Sequence, residues 1–372
     1  MSDEVDESLA EENPLESWED GSAFGVAEEK DPVCQIPVEE WIKNVDINST
    51  ADVPIPENLV DQVIGQEAAS IVVRKAAEQR RHVIMVGEPG TGKSMLARSM
   101  TEFLPKEQLE DILVYRNQDD ENEPKVRTVP AGRGSRIISE RKALIRQQRE
   151  RTNRTLLFIV LIVGAALVLA TLSSGEILTL IFGSFLLIFG YFFLRGRLTA
   201  GDEGNIPKLL VKHERNEEPP FIDATGTLAG ALLGDVRHDP FQSGADLATP
   251  AHERVEPGAV HRANKGVLYI DEIRMLRMEE QQALLVAMQE KALSISGRSE
   301  RSSGALTKSE PVPTDFILIA AGNLDSIQNM HPALRSRIRG YGYEVYVNTD
   351  MPDTEKNRRR LIRFVSQEVV NE

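Results

Sequence analysis

Gly87-Glu88-Pro89-Gly90-Thr91-Gly92-Lys93-Ser94 is the stretch on which the fold turns. It matches G-x-x-x-x-G-K-[ST] at every fixed position, with the apolar run Val83–Val86 before it and a helical pattern over 95–104 behind it. Glycines at these points let backbone N–H groups turn inward and cradle phosphate oxygens at the positive end of a helix. Lys93 is suited to neutralise the β- and γ-phosphates of ATP, and Ser94 to offer its hydroxyl to Mg2+. A short apolar strand feeding such a loop predicts an α/β fold, a parallel sheet flanked by helices. Upstream, 61–80 reads as a short loop followed by an amphipathic helix.

Two later runs fit the same sheet. Val267–Ile270 ends in Asp271-Glu272, four apolar residues followed by two acids. Beside a phosphate loop, Asp271 is expected to hold the magnesium shell and Glu272 to orient and deprotonate an attacking water. The apolar run 316–321 leads into Gly322-Asn323. An amide at the C-terminal edge of a parallel sheet is placed to touch a γ-phosphate or its water, although Asn323 also suits a plain turn. Beyond it, His331-Pro332-Ala333-Leu334-Arg335-Ser336-Arg337 sets two arginines on a helix. Either can neutralise transition-state charge in a neighbouring subunit, or simply face solvent.

Between these motifs lie two charge-free apolar runs, 155–172 and 177–194. Eighteen helical residues span roughly 27 Å, close to the thickness of a bilayer's hydrocarbon core. Only Ser173-Ser174-Gly175-Glu176 joins them, so they form a tight hairpin. Arg141, Lys142, Arg146, Arg149, Arg151 and Arg154 precede the pair, and Arg195 and Arg197 follow it. The positive-inside rule puts both flanks in the cytosol and the tip outside. The basic flank also suits anionic lipid head groups. An even number of spans returns the chain to one compartment, as a single nucleotide site shared by Lys93 and Asp271 requires.

The 372 residues carry a net charge of −15, with an isoelectric point near 5.1, unlike the basic footprint of a nucleic-acid binder. Cys34 is the lone cysteine, which excludes an internal disulfide and a cysteine-based zinc site. The six histidines lack metal-ligand spacing. Residues 1–50 are acidic and read as a solvated, largely disordered arm. The expected domains are therefore this arm, a discontinuous ATPase domain (51–115 and 219–345), an insertion over 116–218, and the start of a helical lid (346–372).

Taken in this order, the four motifs resemble the AAA+ superfamily. The segments Gly230-Ala231-Leu232-Leu233-Gly234-Asp235-Val236-Arg237-His238-Asp239-Pro240-Phe241 and Glu256-Pro257-Gly258-Ala259-Val260-His261-Arg262-Ala263 sharpen the likeness. With a membrane hairpin between the phosphate loop and the Asp271-Glu272 pair, the chain from Val53 onward resembles the archaeal membrane-anchored Lon proteases of the LonB type. That resemblance implies an ATP-driven unfoldase on the cytoplasmic side of the cell membrane, working on unfolded or membrane proteins as a homohexameric ring. It implies a sensor role for Asn323, an arginine finger at Arg337 or else Arg335, and an adenine contact at Ile64-Gly65. It maps the substrate pore loop to Leu232-Leu233, with Phe241 as a rival. It also implies a complete lid and a Ser-Lys protease domain, neither of which these residues supply, so the chain is expected to be a piece of a longer protein. A remodelling ATPase similar to the MoxR and magnesium-chelatase groups, without proteolysis, is the competing expectation.

Overall fold

The computed structural model describes residues 31–371, apart from 47–48, 50–52, 54–55, 57, 175–176, 201–205, 239–248 and 298–306. Helix α1 (Val38–Asn44) comes first, followed by α2 (Glu67–Glu78), strand β1 (Val83–Val86) and α3 (Lys93–Ser99). Next come β2 (Glu110–Tyr115), β3 (Lys125–Pro130), and the long helices α4 (Arg133–Ser174) and α5 (Ile177–Ala200). The chain then forms β4 (Lys208–Val211), β5 (Phe221–Asp223), β6 (Val267–Ile270) and α6 (Met278–Glu290). It closes with β7 (Ile317–Gly322), α7 (Pro332–Tyr341), β8 (Tyr343–Tyr346) and α8 (Glu355–Asn371).

The central sheet is wholly parallel, in the order β8-β1-β7-β6-β5. All four residues of β1 and of β6 are buried, as strands covered on both faces must be. Alternation sends Val83 and Met85 to one face, where Val73, Ala76 and Leu96 of α2 and α3 pack. Ile84 and Val86 go to the other face, with Leu284 of α6 and Leu334 and Ile338 of α7. This is the AAA+ arrangement of a parallel sheet between helical layers. The C-terminal ends of β1, β7 and β6 come side by side at one edge, and the three motifs sit immediately beyond them.

The structure bears on three expectations. The predicted domain boundary at 115/116 lies beside a change of sheet. Glu110–Tyr115 does not join the central sheet but pairs antiparallel with β3 and β4 in a separate sheet of order β3-β2-β4. β5 is the edge strand at which the chain rejoins the main sheet. The acidic arm is also structured over part of its length, because apolar residues recur at helical spacing there. Trp41 of α1 is buried, and the Arg358 guanidinium lies 5.7 Å from its ring. Arg358 also donates to the Ile36 carbonyl and to Asp353, while Val33 bridges Thr354. Residues 1–30 lie outside the described residues.

The hairpin expectation is met in part. The runs 155–172 and 177–194 lie within α4 and α5, which pack together so closely that a Cβ on Gly183 would come 2.3 Å from Leu167. Among the described residues one helix, Arg133–Leu169, is long and apolar enough to cross a membrane, and the described apolar part of α5, Ile181–Arg195, is shorter. The roots of the hairpin converge on the buried Asp111. Its Oδ2 accepts the Gly134 N–H at 2.7 Å and its Oδ1 the His213 N–H at 2.8 Å.

Candidate nucleotide site

The loop after β1 takes the conformation its glycines permit. Gly90 and Gly92 have φ of +84° and +85°, a left-handed region that side chains with a Cβ enter at a cost. Gly87 donates its N–H to the Gly322 carbonyl at 3.1 Å, tying the loop to the end of β7. A Cβ on Gly87 would meet that of Val347 at 3.0 Å, so glycine there also answers a close approach. Glu88, Pro89 and Gly90 lie exposed at the loop's outer rim, and Thr91 donates its hydroxyl to the Glu88 carbonyl. Ser94 is exposed in the first turn of α3.

Lys93 is only 4% exposed. Its Nζ donates to the carbonyls of Gly87 at 2.7 Å and Glu88 at 3.2 Å, and lies 3.8 Å from Asp271 Oδ1. Residues 178 positions apart in the chain thus meet at one point. A cation held over a glycine-lined loop, with a carboxylate and an exposed hydroxyl beside it, is a donor set that fits a magnesium nucleotide.

The two acids after β6 have different settings. Asp271 donates its N–H to Thr225 Oγ1, and its Oδ1 accepts the Glu272 N–H. Its charge and, above all, burial push the neighbouring Tyr269 phenol well above the usual range, which keeps that ring neutral. Glu272 sits at φ +49°, ψ +54°, a left-handed conformation uncommon for a residue with a side chain. Strain of this kind persists only where surrounding contacts fix it. Glu272 Oε2 accepts a hydrogen bond from Ser326 Oγ at 2.6 Å and lies 3.5 Å from the Arg274 guanidinium. Arg274 in turn pairs with Asp325 at 2.9 Å.

Asn323 follows β7 directly and caps the short helix Leu324–Gln328, its Oδ1 accepting the Ser326 N–H. It is both the turn residue and the residue at the sheet edge between β1 and β6. Ile64-Gly65 is knit to the segment after β8. Gly65 has φ +70°, its carbonyl accepts from Asn348 Nδ2, and Gln66 exchanges two further hydrogen bonds with the Asn348 backbone. Helix α8 reaches the same region through Arg360, which pairs with Glu67.

Other predicted residues lie elsewhere. Among the described residues no hydrogen bond or ion pair joins Arg335 or Arg337 to the loop or to Asp271-Glu272. Arg335 donates to the Gln328 carbonyl, and Arg337 lies 4.4 Å from the Tyr341 ring. The pore-loop candidates Leu232 and Leu233 point inward. They are 0% and 4% exposed, part of the core with Ala259 and Val260. The apolar residue that does face solvent nearby is Leu228, 79% exposed. Phe241 lies outside the described residues. Sequence reasoning missed Ser326, Arg274 and Thr225, which touch the acid pair. Only Ser326, three residues after Asn323 in a capping position, had a local signal.

Comparison with known proteins agrees with this geometry. Residues 59–129 match the family model for magnesium chelatase, subunit ChlI, and residues 241–335 the sigma-54 interaction domain. An archaeal Lon protease of Thermoplasma acidophilum is 54% identical over 333 residues, covering 89% of this chain and 50% of that protein. Its counterpart in Archaeoglobus fulgidus is 55% identical over 337 residues, covering 90% and 53%. A putative Lon protease homolog of Methanothermobacter thermautotrophicus is 33% identical, covering 89% of this chain and 75% of that protein. The chain spans about half the length of the first two relatives. With an AAA+ sheet, a phosphate loop facing an acid pair, and identity above one half across most of its length, the chain belongs to the archaeal Lon protease family, whose ATPase module these residues form.

Proposed function

We propose that this module binds and hydrolyses ATP with Mg2+ to unfold polypeptides for a Lon-type serine protease, from a membrane-anchored position. The observation that carries this reading is the approach of Lys93 Nζ to Asp271 Oδ1 at 3.8 Å, with Glu272 next in the chain. The free loop amides (Pro89 has none, and Gly87 donates its own to Gly322) bind the phosphates together with Lys93, which is buried where electrostatic contacts are strong. Ser94 and Asp271 would hold Mg2+, which when bound shields charge between the phosphate oxygens. Glu272 orients water and accepts its proton, Asn323 contacts the γ-phosphate side, and Ile64-Gly65 lines the base. Arg337, or else Arg335, serves the neighbouring subunit of a homohexamer.

The helices α4 and α5 are proposed as a double membrane span, with both basic flanks and the ATPase domain in the cytoplasm. The exposed apolar residues around the hairpin support this. Phe158, Ile162 and Leu169 of α4 and Phe182, Phe185 and Leu186 of α5 all face outward with no protein over them. Monomeric soluble proteins rarely carry contiguous apolar surface on this scale. The domain reading follows: a discontinuous ATPase domain, an insertion starting before β2, and the base of a lid in α8. Substrates are proposed to be unfolded or membrane proteins. Phosphate release in detergent tests the reading: Lys93→Ala should lose nucleotide binding and turnover together, and turnover unchanged in that variant contradicts it.

A further inference from the structure

The geometry points to Ser326 as the residue that positions the Glu272 carboxylate for water activation, coupling it to Asn323. The inference rests on the proposed role of Glu272 as the base.

Ser326 is fully buried, and its Oγ donates to Glu272 Oε2 at 2.6 Å. A serine hydroxyl has one proton to give, so this bond fixes one carboxylate oxygen and leaves Oε1 as the acceptor for water. A hydrogen bond to an ionised acceptor is shorter and stronger than a neutral one. The donor has little freedom to move. A Cβ added at Gly322 would come 2.8 Å from Ser326 Cβ, so Ser326 packs directly on the end of β7. Its N–H is simultaneously held by Asn323 Oδ1 at 2.8 Å. The chain Asn323–Ser326–Glu272 therefore runs from the edge of β7 to the acid after β6 through two short hydrogen bonds. Glu272 itself holds a strained left-handed backbone, a conformation that persists only where surrounding contacts fix it. Arg274 is the other polar neighbour of the carboxylate, but it is 3.5 Å away, half exposed and already paired with Asp325. Displacing Asn323 by contact on its phosphate side would carry Ser326, and with it the carboxylate, in the same motion.

The test is steady-state phosphate release and binding of a fluorescent ADP analogue, using the full-length protein in detergent. Ser326→Ala should lower kcat about tenfold, the usual scale for a lost hydrogen bond to a charged group, while KM for ATP stays within about twofold. Ser326→Thr, which keeps the hydroxyl, should recover most of the rate. A wild-type kcat in Ser326→Ala overturns the proposal, as does parallel loss of ADP binding and kcat in both Ser326→Ala and Ser326→Thr, which marks a merely structural residue. Glu272→Gln separates this from the wider reading. If that variant is inactive while Ser326→Ala is normal, only the positioning role fails. If Glu272→Gln itself turns over normally, the base assignment fails first.

Discussion

At the edge of the parallel sheet, polar groups are drawn inward and matched: Lys93 to loop carbonyls and Asp271, Asn323 to Ser326, and Ser326 to Glu272. Along the α4–α5 hairpin the opposite holds. Phe185 is 70% exposed and apolar side chains cover the outside. The sheet is stabilised by its own two core layers, whereas the hairpin supplies apolar surface without a protein partner. Asp111 is where the two regimes join, since one buried carboxylate accepts N–H groups from both roots of the hairpin. The contrast teaches that a nucleotide site can tolerate a long interruption of its sheet, provided both ends of the insertion are clamped together.

The hairpin side of the comparison can be broken by charge. Replacing Phe185 and Leu186 together with arginine would set two charges within the proposed span, each costing roughly 2.5–3.5 kcal/mol at the bilayer centre. Carbonate extraction of vesicles should then release a large fraction of a chain that otherwise stays in the membrane pellet. Unaltered retention would mean that this face does not meet lipid.

The sheet side can be sharpened by pH. Burial drives His261 and His82 from the ordinary 6.5 down to about 4, the charge of Arg337 adding to the effect at His82. Both are neutral acceptors: His261 Nδ1 takes the Gly258 N–H and His82 Nδ1 the Leu318 N–H. Their folded pKa values lie below the unfolded ones, so their contribution to stability is complete above about pH 6.5 and is lost as pH falls toward 4. Each shift corresponds to at most roughly 3.4 kcal/mol. Thermal unfolding should show Tm falling between pH 6.5 and 4, with a smaller slope in His261→Gln. An equal slope in that variant would remove His261 from the explanation.

How much of this was legible in the sequence varied with how local each signal was. The phosphate loop, the run before Asp271-Glu272 and the run before Gly322-Asn323 each declare a strand end within a few residues, and the sheet uses all three. Glu110–Tyr115 looks like another buried strand, yet its membership in a separate sheet depends on β4, nearly a hundred residues later, which no local pattern encodes. The burial of Leu232 and Leu233 was not legible locally: Gly258, distant in sequence, approaches so closely that its Cβ would fall 2.4 Å from the Leu232 carbonyl oxygen. The arm over 31–46 was hidden by averaging. Its acidic surroundings mask Val33, Ile36, Val38 and Trp41, of which Trp41 packs under Arg358. Ser326 was invisible because a serine near a helix start is ordinary until its distance to Glu272 is known.

Glu272→Gln tests the central claim most directly, that distant segments assemble one hydrolytic nucleotide site. With Mg·ATP, the account predicts that this variant keeps nucleotide affinity within about threefold of the unaltered chain and releases phosphate at least a hundredfold more slowly, the scale expected for losing a general base. Phosphate release at the normal rate, or loss of nucleotide binding alongside activity, would contradict it.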